Sequence, residues 1–194
     1  MLLARQAHAR AQSLLGAGRE ATAEMAEVIE GLGRAGYSPK TMEAMRARRF
    51  HAETQLRSGH VEVGFALLQD LAREQSALQK GQEVEYAQTL DLLGSVLRLA
   101  GKPAEALESH RQAASLLSTR LPRDHPYRLR NAIYMKAAEA SLRPTANASQ
   151  ELTRMATDYA MRFPEGSYWR RAVAEAFTRD PCALARDVPC QLFL

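Results

Sequence analysis

Apolar and polar residues recur along this chain with the 3.6-residue period of amphipathic helices, in runs of about 14 to 20 residues broken by glycine or proline. The pattern predicts nine helices, near 2–15, 19–33, 39–58, 60–78, 83–100, 103–120, 126–142, 145–163 and 166–178. Ser38-Pro39, Lys102-Pro103 and His125-Pro126 put proline at or near a first helical position, where its missing N–H costs nothing. The first helix begins at Met1 with no Ser, Thr, Asp or Asn before it, as expected of a fragment of a longer protein.

A longer period overlies the helical one. With the turn residues Gly18, Gly59, Gly101 and Pro144 as markers, the spacings are 41, 42 and 43. Seven residues before each marker stands a small residue: Ala11, Ala52, Gly94 and Ala137. Five residues after each stands another: Ala23, Gly64, Ala106 and Ser149. Two antiparallel helices joined by a tight turn approach most closely at such positions, and small side chains let the backbones meet at about 8 to 9 Å.

Composition agrees with this reading. Ala, Leu, Arg, Glu and Gln dominate, glycines number 11, prolines 8, and β-branched residues are scarce, so the fold class is all-α. Apolar residues at 46% and charged residues at 25% can build a sizeable core. Of the 26 basic residues only Lys40, Lys80, Lys102 and Lys136 are lysine, an arginine bias typical of GC-rich bacterial coding. No apolar run reaches 18 residues, and Met1-Leu2-Leu3-Ala4-Arg5 is too short an apolar core for a signal peptide.

Within the period, one unit carries a family pattern. Leu92-Leu93-Gly94, Leu97, Gly101-Lys102, Ala104-Glu105-Ala106-Leu107 and Ala113-Ala114, followed by His125-Pro126, resemble a tetratricopeptide repeat (TPR). The period near 42 and the trailing His-Pro are similar to the longer variety found in kinesin light chains and many bacterial regulators. The resemblance is strongest over residues 82 to 126 and weaker on either side. It implies a superhelical array, a TPR-like α-solenoid of about four antiparallel helix pairs plus a closing helix that carries Trp169. It also implies a concave face, lined by the first helix of each pair, that binds peptide or protein segments. The helical repeat domain would cover residues 1–180, with 181–194 as a C-terminal tail.

Helical spacing about the small residues puts a defined set of side chains on that face. These are Arg5, His8 and Gln12; Arg46, Arg49, Glu53 and Arg57; Gln88, Asp91, Ser95 and Arg98; and Asn131, Tyr134 and Ser141. The strongest candidates for peptide binding are those from the second to fourth pairs: Arg46, Arg49, Glu53, Arg57, Gln88, Asp91, Ser95, Arg98, Asn131 and Tyr134. A cationic groove favours an acidic partner through bidentate arginine contacts; alternatively, the arginines pair with neighbouring carboxylates as a solvated face.

Other chemistry is poorly supported by the sequence. His8, His51, His60, His110 and His125 show neither zinc-protease nor Cys-partnered spacing and read as surface or interface residues, so no metal or cofactor is expected. Gly31-Leu32-Gly33-Arg34-Ala35-Gly36 follows no strand and reads as a helix end rather than a phosphate loop. No catalytic constellation stands out, and the chain is read as a non-enzyme. Arg46, Arg48 and Arg49, with Arg120, Arg123, Arg128 and Arg130, could meet phosphates, but a net charge of +4 and the lack of interleaved aromatics argue against nucleic acid.

Cys182 and Cys190 leave two alternatives open. Bonded, they would close a short loop worth roughly 2.5 kcal/mol and place the protein in an oxidising compartment such as the periplasm. Reduced, they fit the cytoplasm. The leading expectation is a non-catalytic interaction scaffold within a bacterial signalling or regulatory protein. The alternative is a sensory or self-association module that binds a small ligand or forms a homodimer through its first helix pair.

Overall fold

A computed structural model describes residues 1–78 and 81–165, together with 167, 169, 170 and 173. Among these residues the secondary structure is helical, with no strand. The helices are α1 (Leu2–Leu14), α2 (Gly18–Arg34), α3 (Met42–Arg57), α4 (Val61–Ser76), α5 (Glu83–Leu99), α6 (Pro103–Ser118), α7 (Pro126–Leu142) and α8 (Ala146–Ala160). The fold is an all-α helical repeat array, and these eight helices of the described residues follow the hydrophobic pattern within a few residues. The ninth predicted helix and the tail with Cys182 and Cys190 lie mostly or wholly outside the described residues.

The helix starts follow local chemistry. Pro103 and Pro126 open α6 and α7 as expected. Pro39 does not open α3: Thr41 caps that helix three residues before Ala44, whose N–H donates to the Thr41 hydroxyl. Thr145 caps α8 in the same way through the Ala148 N–H. At α7 the cap is the His125 ring, whose Nδ1 accepts from the Tyr127 N–H at 3.2 Å.

Residues Met1–Glu85 form one compact unit. In it α1 packs on α2, α2 on α3, α3 on α4, and α1 also touches α3. Its core gathers Ala9, Met25, Val28, Leu32, Ala47 and Phe50, with Leu2 and Ile29 packed alongside. The second unit begins at Tyr86, and there α6 packs on α7 and α7 on α8. Its core joins Ile133, Tyr134 and Ala137 to Leu152, Ala156 and Tyr159, with Phe163 and Trp169 against them. Trp169 packs as a core aromatic: its ring lies 5.1 Å from that of Tyr127 and 5.8 Å from that of Phe163.

The repeat is real, but its first marker is Gly16 rather than Gly18. Gly16, Gly59 and Gly101 all adopt left-handed backbone, with φ of 99°, 84° and 75°, as a tight helix-ending turn requires. From Gly16 the small positions are Ala9 and Ala21, both fully buried, whereas Ala11 is exposed and Ala23 sits outside the core. The other two hairpins keep the predicted register. A Cβ on Gly64 would come within 2.9 Å of the Ala52 carbonyl oxygen, and one on Gly94 within 3.0 Å of that of Ala106. In the fourth pair Ala137 is buried, but Ser149 is not, because α8 turns Leu152, Ala156 and Tyr159 inward instead. Enlarging the α5–α6 seam with Ala106→Leu is therefore expected to cost about 1 to 3 kcal/mol in chemical denaturation. Glu108→Ala, on the exposed side of the same helix, should leave stability within about 0.5 kcal/mol; equal losses would contradict the seam.

Candidate functional site

The residues on the first-helix face fall into two groups, one in each unit. In the first unit, Arg46, Arg49, Glu53 and Arg57 lie along one side of α3, as their spacing predicts. Arg10 reaches them from α1 and Glu85 from the start of α5, so three helices contribute to one charged cluster. Glu85 is held closely: its Oε1 accepts from Arg46 Nε at 2.8 Å and lies 2.6 Å from Arg46 Nη2, while Arg49 Nη2 donates to Oε2 at 3.1 Å. Glu53 is held at longer range, with Arg57 Nε and Nη2 at 3.4 and 3.3 Å from Oε1 and Arg10 Nε at 3.4 Å from Oε2.

The guanidinium groups of Arg10 and Arg49 also lie over the Phe50 ring, 4.1 and 4.6 Å from its centroid. Burial pushes the Glu53 carboxyl up, but the charges of Arg10, Arg57 and Arg49 outweigh it and leave it at about 2. At Glu85 burial likewise opposes ionisation, and Arg49 and Arg46 prevail, holding the carboxyl below its usual range.

Exposure differs across the cluster. The side chains of Arg46, Arg10 and Arg57 are 38%, 21% and 14% exposed, against 9% for Glu53 and 5% for Glu85. Arg49, at 5%, is as buried as Glu85, so the inner part of the cluster holds one guanidinium and both carboxylates. The arginines that could have met phosphates divide in a similar way: Arg48 makes a bidentate pair with Glu74 at 2.6 and 2.7 Å, while Arg46 and Arg49 belong to Glu85.

In the second unit, Gln88, Asp91, Asn131 and Tyr134 are buried, and Ser95 and Arg98 are half-buried. Asp91 Oδ1 accepts from Asn131 Nδ2 at 2.7 Å and pairs with His110 Nδ1 at 3.0 Å, and the same Asn131 amide donates to the His110 carbonyl at 2.9 Å. This network joins α5, α6 and α7. Asp91 Oδ1 already accepts from Asn131, and His110 meets the same oxygen as a donor with its proton on Nδ1. His110 is thus a core residue at 1% exposure, not the surface or interface residue expected from the sequence. Gly94 makes room for it, since a Cβ there would sit 2.7 Å from His110 Cε1. Ser95 binds its own helix through the Asp91 carbonyl, and burial lowers the Arg98 pKa.

The remaining residues of the predicted face are dispersed. Arg5 and His8 pair with Glu24 on α2 rather than joining the charged cluster, and Ser141 donates to the Ala137 carbonyl of its own helix. Among the described residues there is no group of three or more His, Cys, Asp or Glu able to hold a metal ion. Nor is any helix among them long and apolar enough to cross a membrane.

No family model and no curated protein sequence matches the chain. It is similar to a crystal structure of nearly identical TPR-like repeats from a Podosopora anserina protein described as a kinesin light chain, with 17% identity, 94% of this chain and 86% of that one covered, and a TM-score of 0.66. A single-substitution variant of that protein is similar at 17% identity, with 94% and 85% covered and a TM-score of 0.65. With the paired helices and the recurring glycine turns, this likeness establishes that the chain has the TPR-like repeat fold.

Proposed function

We propose that this chain is a non-catalytic protein-interaction module that receives an acidic peptide or protein segment on the first-helix face of its first unit. We further propose that it serves a bacterial signalling or regulatory protein. TPR-like repeats generally mediate protein–protein interaction. The observation that supports the acidic assignment is the cluster of Arg10, Arg46, Arg49 and Arg57 on α1 and α3, in which the Arg46, Arg10 and Arg57 side chains are more exposed than those of Glu53 and Glu85. Partly desolvated guanidinium groups bind carboxylates more strongly than fully exposed ones do. We assign residence to the periplasm if Cys182 and Cys190 are bonded and to the cytoplasm if they are reduced.

A second reading, self-association, is favoured by α1. Its outward residues Leu3, Ala7, Ala11 and Leu15 make an exposed apolar line, while Gln6 and Ser13 are turned inward. One experiment separates the two. Capture from bacterial lysate by the natural chain should enrich proteins with Asp- and Glu-rich segments. It should weaken about tenfold in the double variant Arg46→Gln/Arg57→Gln, with an unchanged helical spectrum, and weaken again as salt rises. Capture of the same set by that variant would refute the acidic reading. A dimer in light scattering that Leu3→Glu dissolves would favour self-association.

A further inference from the structure

The turn that folds α4 back onto α3 holds two histidines on one glutamine. Gln55 Nε2 lies 3.2 Å from Nε2 of His51, one turn back on α3, and Gln55 Oε1 lies 2.9 Å from Nδ1 of His60, just past the left-handed Gly59. We infer that His51, Gln55 and His60 form a clasp that fastens this turn at neutral pH and opens in acid, once both rings are charged. The clasp is independent of the acidic-segment reading.

The chemistry of the carboxamide carries the inference. A primary amide accepts at its oxygen and donates at its nitrogen. With the oxygen taking the His60 Nδ1–H, the amide N–H donates to His51 Nε2, which must then bear no proton. Turned end for end, the amide would accept from His51 and need a bare nitrogen on His60. Either way both bonds survive one charged ring, and one bond is lost when both rings are charged.

The other glycine turns lack this arrangement. His8 and Gln12 stand eight and four residues before Gly16, as His51 and Gln55 stand before Gly59, but Ala17 takes the place of His60. There Gln12 Oε1 is buried with no hydrogen-bond partner among the described residues, and His8 turns to Glu24 instead. The turn at Gly101 has Leu93, Leu97 and Lys102 at these places. All three turns close the same backbone bond: the N–H groups of Ala17, His60 and Lys102 donate to the carbonyls of Gln12, Gln55 and Leu97 at 3.0, 3.0 and 2.9 Å.

Burial lowers the pKa of His51 from its usual 6.5, which keeps the ring neutral near pH 7. A group depressed in this way contributes stability that is present above its unfolded pKa and is lost as pH falls through its folded one. The charged groups on the surrounding helices are Arg48, bound to Glu74 of α4; Arg57 and, from α1, Arg10, both at Glu53; Glu62 and Asp70 on α4; and Arg19 and Glu20 on α2. Burial, not any of these charges, moves His51.

Amide hydrogen exchange on the full chain, read by NMR as protection relative to the intrinsic rate at each pH, tests the clasp. Between about pH 7.5 and pH 5, protection of the His60 N–H is expected to fall about fivefold, the worth of one hydrogen bond, more than that of the Ala17 N–H in the same unit. Gln55→Leu should be low at both pH values. Gln55→Glu, whose carboxylate accepts from two charged rings, should hold its protection in acid. Circular dichroism checks folding, and if Gln55→Leu is unfolded, His60→Ala read at the Gly59 N–H replaces it. Equal pH dependence at Ala17 and His60, or a Gln55→Glu variant that loses protection in acid as the natural chain does, would overturn the clasp.

Discussion

Replacing Asp91 by alanine is expected to destabilise the second unit by about 3 to 5 kcal/mol, more than overpacking the seam at Ala106. Its carboxylate is the common acceptor for Asn131 Nδ2 and His110 Nδ1, and all three side chains are nearly inaccessible to water. Truncation strands two buried donors at once, and each unmatched buried polar group costs about 1 to 3 kcal/mol. Asp91→Asn keeps an amide oxygen at the Oδ1 position that both donors meet and loses only the charge, so it should cost less than half as much. Guanidinium chloride unfolding followed by circular dichroism measures both. Identical midpoints for the alanine and asparagine variants would show that the acceptor role is not what stabilises this core.

The second large effect is an acid transition governed by Glu53. Its folded-state carboxyl titrates at about 2, against 4.5 in the unfolded chain. A depressed carboxylate contributes stability that is fully present above its unfolded pKa and is lost as pH falls through its folded one. Stability of the first unit should therefore decline between about pH 5 and pH 2, by on the order of 3 kcal/mol from Glu53 alone. Glu85, depressed in the same direction, adds to the decline. Thermal melts across this range should show a markedly shallower pH dependence for Glu53→Gln than for the natural chain. Parallel curves would mean that the buried arginines do not hold this carboxylate ionised.

The helices are legible in the sequence because glycine and proline punctuate a strongly amphipathic pattern, and most bounds follow from them. At the first hairpin the pattern points two residues out of register. Ala9 and Ala11, Ala21 and Ala23, and Gly16 and Gly18 offer the same residue types at either register, and only backbone conformation separates them, the left-handed φ falling at Gly16.

That ambiguity also hides Arg10 from the predicted face. Counted from Ala9, Arg10 occupies on α1 the place that Glu53 occupies on α3, whereas counting from Ala11 selects Gln12. Glu85 and His110 are illegible for a different reason. Their roles depend on which helices meet across the repeats, and the period of one helix does not encode that. A solvated arginine and a buried one look alike in sequence; the carboxylate opposite decides between them.

The recurrence of the glycine turns sets the size of step by which such a chain can change length. Gly16, Gly59 and Gly101 lie 43 and 42 residues apart, each at the same distance from the small residues that meet behind it. Gain or loss of a whole period returns every downstream helix to its former azimuth, with each small residue still opposite a small one. An excision one residue short within a helix rotates the rest of that helix by about 100°, and one falling between Gly94 and the end of α5 would disturb the seam of Gly94 with Ala106. Growth and shrinkage of this chain are thus confined to whole hairpin pairs, and single-residue changes in length are tolerated only where a turn absorbs them.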